Sequence, residues 1–153
     1  MSNLTDLYTA MKTRLGTVLS AHSWLPESLI IDDNSEQALR KGYTLLIGPG
    51  SQADKAICEY VTMNREIFVV ITREHFALEQ DRDAKYTVEQ AILDDQLLVI
   101  KEFEGDPSVA YALTQNIANL RFISDGGIER VFEDKKNFYM IRSVFNVYYT
   151  EII

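Results

Sequence analysis

Cysteine occurs once in this sequence, as Cys58, and histidine only as His22 and His75. One thiol excludes an internal disulfide and any multi-thiolate metal site. The two histidines lie in separate segments with no HExxH or similar spacing, so the common zinc arrangements are excluded as well. Cys58 in "AICEY" reads as a buried, inert thiol, the usual state of a free cysteine. A nucleophile made of Cys58 with His75 across a hairpin is the competing reading, and nothing in the sequence orients that pair. Proline and glycine are also scarce, with three and seven occurrences, and no low-complexity tract or internal repeat is present. No apolar run approaches the ~20 residues that span a bilayer. "MSNLTDLYTAMK" lacks the basic start and apolar centre of a secretory signal.

Positive charge is in short supply too. Against 23 acidic residues stand 15 basic ones, for a net charge of -8, which repels phosphate backbones unless a local basic patch intervenes. The most basic stretches, "ALRKG" and "DKKNF", hold two cations each and read as solvated loops.

What remains is an ordinary globular composition, 46% apolar and 25% charged. A chain of 153 residues is expected to form a single α+β domain over 1–153, burying roughly 70% of the surface its unfolded form exposes. Leu4, Leu7, Tyr8, Met11, Leu15, Val18 and Leu19 repeat at helical spacing and predict an amphipathic helix over 3–21, capped by Ser2 or Asn3 and stopped near Pro26. "SLII" is a short apolar segment and "DDNSEQALRKG" a loop with a turn or two of helix. "YTLLIG" predicts a strand stopped by "GPG". The stretch from Ala56 to His75 alternates as one long bent strand or as a hairpin about "MNRE". Val88, Ile92, Leu93, Leu97, Ile100 and Phe103 predict the second helix, followed by a possible helical turn in "SVAYAL". "NIANLRFI", "IERVFED" and "NFYMIRSVFNVYYTEI" then read as three strands joined by "SDGG" and "DKKN". Helix, two or three strands, helix and three strands make a mainly antiparallel sheet packed against two amphipathic helices.

No catalytic, cofactor-binding or metal-binding residue emerges from this pattern. "GPGSQADKA" lacks the GK[ST] ending of a phosphate loop, and "SDGGIE" lacks the third glycine and following helix of a dinucleotide fingerprint. The serines sit in caps and turns, with no G-x-S-x-G elbow. Paired carboxylates occur at Asp32 and Asp33, Asp94 and Asp95, and Glu102 and Glu104. Neighbours on a helix point apart, so Asp94 and Asp95 are expected to mark the solvent face of the second helix. The aromatic final strand stands out, with Phe138, Met140, Val144 and Tyr148 on one face and Tyr139, Ile141, Phe145, Val147 and Tyr149 on the other. It reads equally as the central strand of a two-layer core or as a subunit interface rich in tyrosine and phenylalanine.

The order of these elements resembles the lambda-type tail terminator family of long-tailed bacteriophages. The likeness is carried by the N-terminal amphipathic helix, "YTLLIG" before a polar loop, "EIFVVITREH", the helix after "EQDRDAKYTVEQAI", and a final hairpin ending in "VFNVYYTEI". It spans nearly the whole chain as a pattern of elements, shared in part with neck and tail-completion proteins. The resemblance implies a homo-hexameric ring made in the host bacterial cytoplasm and carried in the virion at the head-proximal end of the tail. Such a ring caps the tail tube protein, stops its elongation, and offers its other side to a head-completion or connector protein. Genomic DNA crosses its lumen without specific binding, and neither an enzyme activity, a cofactor nor a membrane is implied. An acidic lumen would then let DNA slide. Under this resemblance Gly48, Pro49, Gly50, Ser51, Gln52, Asp54 and Lys55 form a loop ordered by the adjoining ring, "DGGIE" a turn near another contact, and Phe138, Met140, Tyr148 and Tyr149 a subunit interface. A second class also fits the charge, an acidic binding or inhibitor protein that blocks a basic partner.

Overall fold

In the computed structural model the chain is described over residues 3–25, 41–53, 55–75, 82–104, 117–133 and 136–152. The readings of Ser2, "SLII", Asp32, Asp33, "SVAYAL", Asp54 and nearly all of "DDNSEQALRKG" lie outside the described residues, as does the side chain of His75. The elements are α1 (Asn3–Val18), β1 (Ser23–Trp24), β2 (Lys41–Gln52), β3 (Tyr60–His75), α2 (Arg82–Glu104), β4 (Ile117–Glu133) and β5 (Lys136–Ile152). The five strands form one sheet in the order β1-β2-β3-β5-β4, antiparallel except for β1 beside β2. Two helices and a mostly antiparallel sheet make the α+β class expected from the sequence. No helix among the described residues is long and apolar enough to cross a membrane.

The spine of the sheet is the pairing of β3 with β5, in unbroken register from Tyr60 opposite Ile152 to His75 opposite Asn137. Of the two readings of 56–75, the single long strand is therefore the one that forms. It begins at Tyr60, after the turn closed by reciprocal 3.0 Å hydrogen bonds between Ile57 and Tyr60. Cys58 occupies that turn with φ 55 and is exposed, which corrects the expectation of a buried thiol. A two-residue turn at the tip of a hairpin has no core to enter. His75 lies at the other end of β3, roughly 50 Å along the strand at ~3.3 Å per residue. The two therefore cannot form a nucleophile pair.

Both glycine-bearing segments expected to break strands are bulges instead. Between the rungs Ile47–Ile67 and Gly50–Arg65, β2 advances one residue more than β3, so Gly48 and Pro49 sit in a bulge and β2 continues to Gln52. Proline is tolerated there because a bulge on a strand flank leaves an amide unpaired in any case. A Cβ on Gly48 would lie 2.8 Å from the Phe68 ring and 3.0 Å from the Glu66 carbonyl oxygen. Gly48→Ala is thus expected to cost about 1–3 kcal/mol, read by denaturant unfolding. In "SDGG", β4 likewise gains a residue between Asp125–Ser143 and Ile128–Ile141. Gly127 takes φ +83 and donates its amide to Asp125 Oδ1 at 2.8 Å. Positive φ at glycine serves a bulge as well as a hairpin turn. "IANLRFI" and "IERVFE" therefore form one strand.

Both helices lie on one face of the sheet. Leu7, Met11 and Leu15 of α1 and Ile92, Val99 and Phe103 of α2 pack on Tyr43, Leu45, Ile67, Val69, Ile71, Ile141, Phe145, Val147 and Tyr149. Phe145 is central, meeting Phe103 and Phe122 edge-on at 5.6 and 5.7 Å between ring centres. The start of α1 is held by the last strand, where Glu151 accepts the amides of Leu4 and Asn3 at 2.9 and 3.1 Å and Thr150 O accepts from Asn3 Nδ2. A carboxylate there satisfies orphan amides and complements the positive end of the helix. The cap thus comes from β5, and α1 ends at Val18, well before Pro26.

Candidate functional site

Arg65 and Arg73 fall in the same alternating set of β3 as Met63, Ile67, Val69 and Ile71, the set that faces the helices. A cation at such a position requires a partner. For Arg73 it is Asp95 on α2, which accepts from Nε at 2.5 Å and from Nη2 at 2.8 Å. His22, in the turn between α1 and β1, bonds the same carboxylate from Nε2 at 3.1 Å. An ionised carboxylate only accepts, so Nε2 carries the proton of that bond. Asp95 is buried, a correction to its expected place on the solvent face, while Asp94 beside it is exposed. Burial pushes the Asp95 carboxyl up, but the hydrogen bonds and charges of Arg73 and His22 outweigh it and hold the group below its ordinary value.

One residue further along α2, Gln96 is buried too. Its Nε2 donates to Ser143 Oγ and Asp125 Oδ2, each at 3.0 Å, tying the helix to β5 and to the "SDGG" bulge of β4. At the far side, Arg14 of α1 pairs with Glu102 of α2 at 2.8 Å. These contacts fix α2 in position and in rotation. Nδ1 of His22 and Oγ1 of Thr72 are buried without a hydrogen-bond partner among the described residues. No group of three or more potential metal-binding side chains gathers among the described residues either.

The residues singled out as an interface divide into three groups. Gly48, Pro49, Gly50, Ser51 and Gln52 belong to the distal half of β2, where β1 no longer covers its outer edge, since β1 pairs only with Gly42 and Tyr43. Ser51 and Gln52 are rungs of the ladder, opposite Asn64 and Met63, so the expected loop is a strand. Arg65 spans this part: its Nη1 donates to Gly48 O and its Nε to Tyr149 Oη, both at 3.0 Å, and it lies over Gly50. Lys55 is exposed beyond the ladder.

In the final strand, Phe138 and Tyr149 are buried within the single chain, which removes them from any interface. Met140 and Tyr148 are half-buried on the face away from the helices. That face also carries Leu46, Phe68 and Val144, with the guanidinium of Arg142 5.4 Å over the Phe68 ring. The final strand is thus the sheet's interior neighbour of β3 and β4, and its helix-facing side is core.

Sequence periodicity missed the rotation of α2. It grouped Leu93 and Leu97 with Ile92 and Phe103, whereas Leu93, Leu97 and Leu98 are exposed. The signal that finds them is the inward position of Arg73 on β3, whose charge calls for an acidic partner on the covering helix. No protein-family model matches the chain, and no curated protein sequence does.

Proposed function

We propose that this chain is a structural ring subunit of the tail terminator type, acting at the head-proximal end of a long-tailed bacteriophage tail. The observation that carries the reading is the run of elements with its placement in the sheet. An N-terminal amphipathic helix is followed by a long β2–β3 hairpin, a second helix on the same face, and a final β4–β5 hairpin whose last strand pairs with β3. The work is done by surfaces rather than by a reaction. Gly48, Pro49, Gly50, Ser51, Gln52 and Lys55, on the distal edge of β2 and beyond it, are assigned to contact with neighbouring rings. Met140 and Tyr148, half-buried on the sheet face away from the helices, offer a smaller share. The net charge of -8 per copy suits a lumen that repels DNA phosphates and lets DNA pass.

The test is tube elongation. Tail tube protein polymerised with this chain present is expected to stop growing, with the chain at one tube end. Tubes that elongate equally with and without it would overturn the reading. A stable monomer forming a 1:1 complex with a basic protein would replace it with the acidic-binder reading.

A further inference from the structure

Arg65 and Arg73 share the helix-facing set of β3, and only one of them is neutralised by a carboxylate. Arg73 has Asp95. Arg65, nearer the hairpin tip, is half-buried and meets no carboxylate among the described residues: its Nε donates to Tyr149 Oη and its Nη1 to Gly48 O, each at 3.0 Å. Both acceptors are neutral, so a cation partly removed from water keeps its demand for an anion. Its Nη2 arm, with no acceptor among the described residues, lies against β2, where a Cβ on Gly50 would stand 2.6 Å from Nη2 and 2.5 Å from Cζ. The absent side chain of Gly50 is what lets the guanidinium reach that strand's backbone.

The strand it reaches is an edge. Among the described residues no strand pairs with the outer side of β2 beyond Tyr43, and Ile47, Pro49, Gly50, Ser51 and Gln52 are all exposed. Leu25 donates its amide to Tyr43 O from outside, whereas Ala53 donates to Thr62 O on the β3 side. Alternating inward from these two bonds, with the bulge taking up Gly48 and Pro49, the amides and carbonyls of Ile47, Gly50 and Gln52 point outward. The residue without an amide, Pro49, is not among them. Tyr8 Oη donates to Leu45 O at 3.2 Å and so bounds the open stretch on its other side.

We propose that the distal edge of β2 takes an extended acidic segment of a partner protein, which adds a strand beside Ile47 to Gln52 and sets a carboxylate on Arg65. Backbone bonds to an open edge supply the docking, and the side chains it presents select the occupant. A partner residue opposite Gly50 shares its face of the sheet and stands about 5 Å from where a Cβ on Gly50 would be. It meets the guanidinium in place of a side chain, so an aspartate or glutamate there completes the fork of Arg65. Ile47 and Gly50 are two ladder steps apart, as Ile67 and Arg65 are opposite them. Ile47 is 49% exposed and calls for an apolar neighbour, so the segment reads apolar, any residue, acid. A chain of net charge -8 repels acidic segments elsewhere on its surface, which confines such a partner to this cation. The edge is the one assigned above to neighbouring rings, but the chemistry of its occupant follows from Arg65 and Gly50 and does not depend on that assignment.

The probe is the capped heptapeptide TVTETVT, which presents the same pattern in either strand direction, added to the isolated natural chain. Heteronuclear NMR is expected to show a saturable shift at Arg65 Nε and slowed exchange of the amides of Ile47, Gly50 and Gln52. TVTQTVT is expected to bind about tenfold more weakly, the loss of one charge-assisted contact. Arg65→Gln is expected to abolish the difference between the two peptides. The comparison of peptides on the natural chain holds whether or not that variant folds. Equal affinity of the two peptides would overturn the proposal, as would the absence of a saturable shift at millimolar peptide. A folded R65Q that keeps the preference would do the same, because the acid would then be read elsewhere. Sodium acetate giving the same Arg65 shift at the same concentration, with no protection of the edge amides by the peptide, would leave a free-anion site and overturn the added strand. Preference for TVTETVT in a chain that fails to stop tube growth supports the acidic docking edge while contradicting the tail reading.

Discussion

Asp95→Ala is expected to lower folding stability by about 3 kcal/mol, the cost of removing one member of a buried charged pair. Arg73 would keep its inward position on β3, with its guanidinium only partly exposed, and His22 would lose the acceptor of its Nε2 proton. Asp94→Ala, one residue away and exposed, is expected to change stability by no more than about 0.5 kcal/mol. Chemical denaturation of the three proteins separates the two outcomes. The effect also has a pH signature whose sign follows from the lowered Asp95 value. A depressed carboxyl contributes its full stability above its unfolded value of about 4, and loses it as pH falls through the lower folded value. The gap between the natural chain and D95A is therefore expected to be widest near neutrality and to narrow below about pH 4. A gap independent of pH would show that the carboxylate is not ionised in the fold.

Phe145→Ala is expected to cost about 3–5 kcal/mol. The ring is fully buried at the centre of the sheet and contacts aromatic rings from both α2 and β4. No single neighbour can collapse into the cavity it would leave, which is the condition under which such truncations cost most. Tyr148→Ala, on the half-buried opposite face, is expected to cost well under half as much. Unfolding midpoints in denaturant measure both. The reverse order would mean that the aromatic strand is held by its other face rather than by the one against the helices.

The final strand shows how far the sequence can be read. Its alternation places Ile141, Phe145, Val147 and Tyr149 on one face, and these are core residues in the structure. Alternation alone could not say which face the helices cover, nor that Phe138 is buried on the other one. The helix pattern at Leu7, Met11 and Leu15 was legible for the same reason, since one stripe carries the whole burial signal. Glycine was a poorer guide. "GPG" and "SDGG" have the composition of turns, but the backbone freedom that makes a turn also makes a bulge, and only the pairing of the flanking residues distinguishes them. For α2 the local pattern and the tertiary contacts disagree. Hydropathy groups Leu93 and Leu97 with the core, while Arg73, on a strand distant in sequence, draws Asp95 inward and turns those leucines out. The candidate surfaces were therefore only partly visible. The glycines and proline marked the segment of residues 48–52 but as a loop rather than a strand, and the helix face depends on contacts between residues 22, 73 and 95 that no local window contains.

The ring account is tested most directly by electron microscopy of tail tubes assembled with this chain. The account predicts a six-fold ring of this protein at one end of each tube, with tubes of limited length. Tubes with bare ends at both sides, and the chain left free as a monomer, would contradict it.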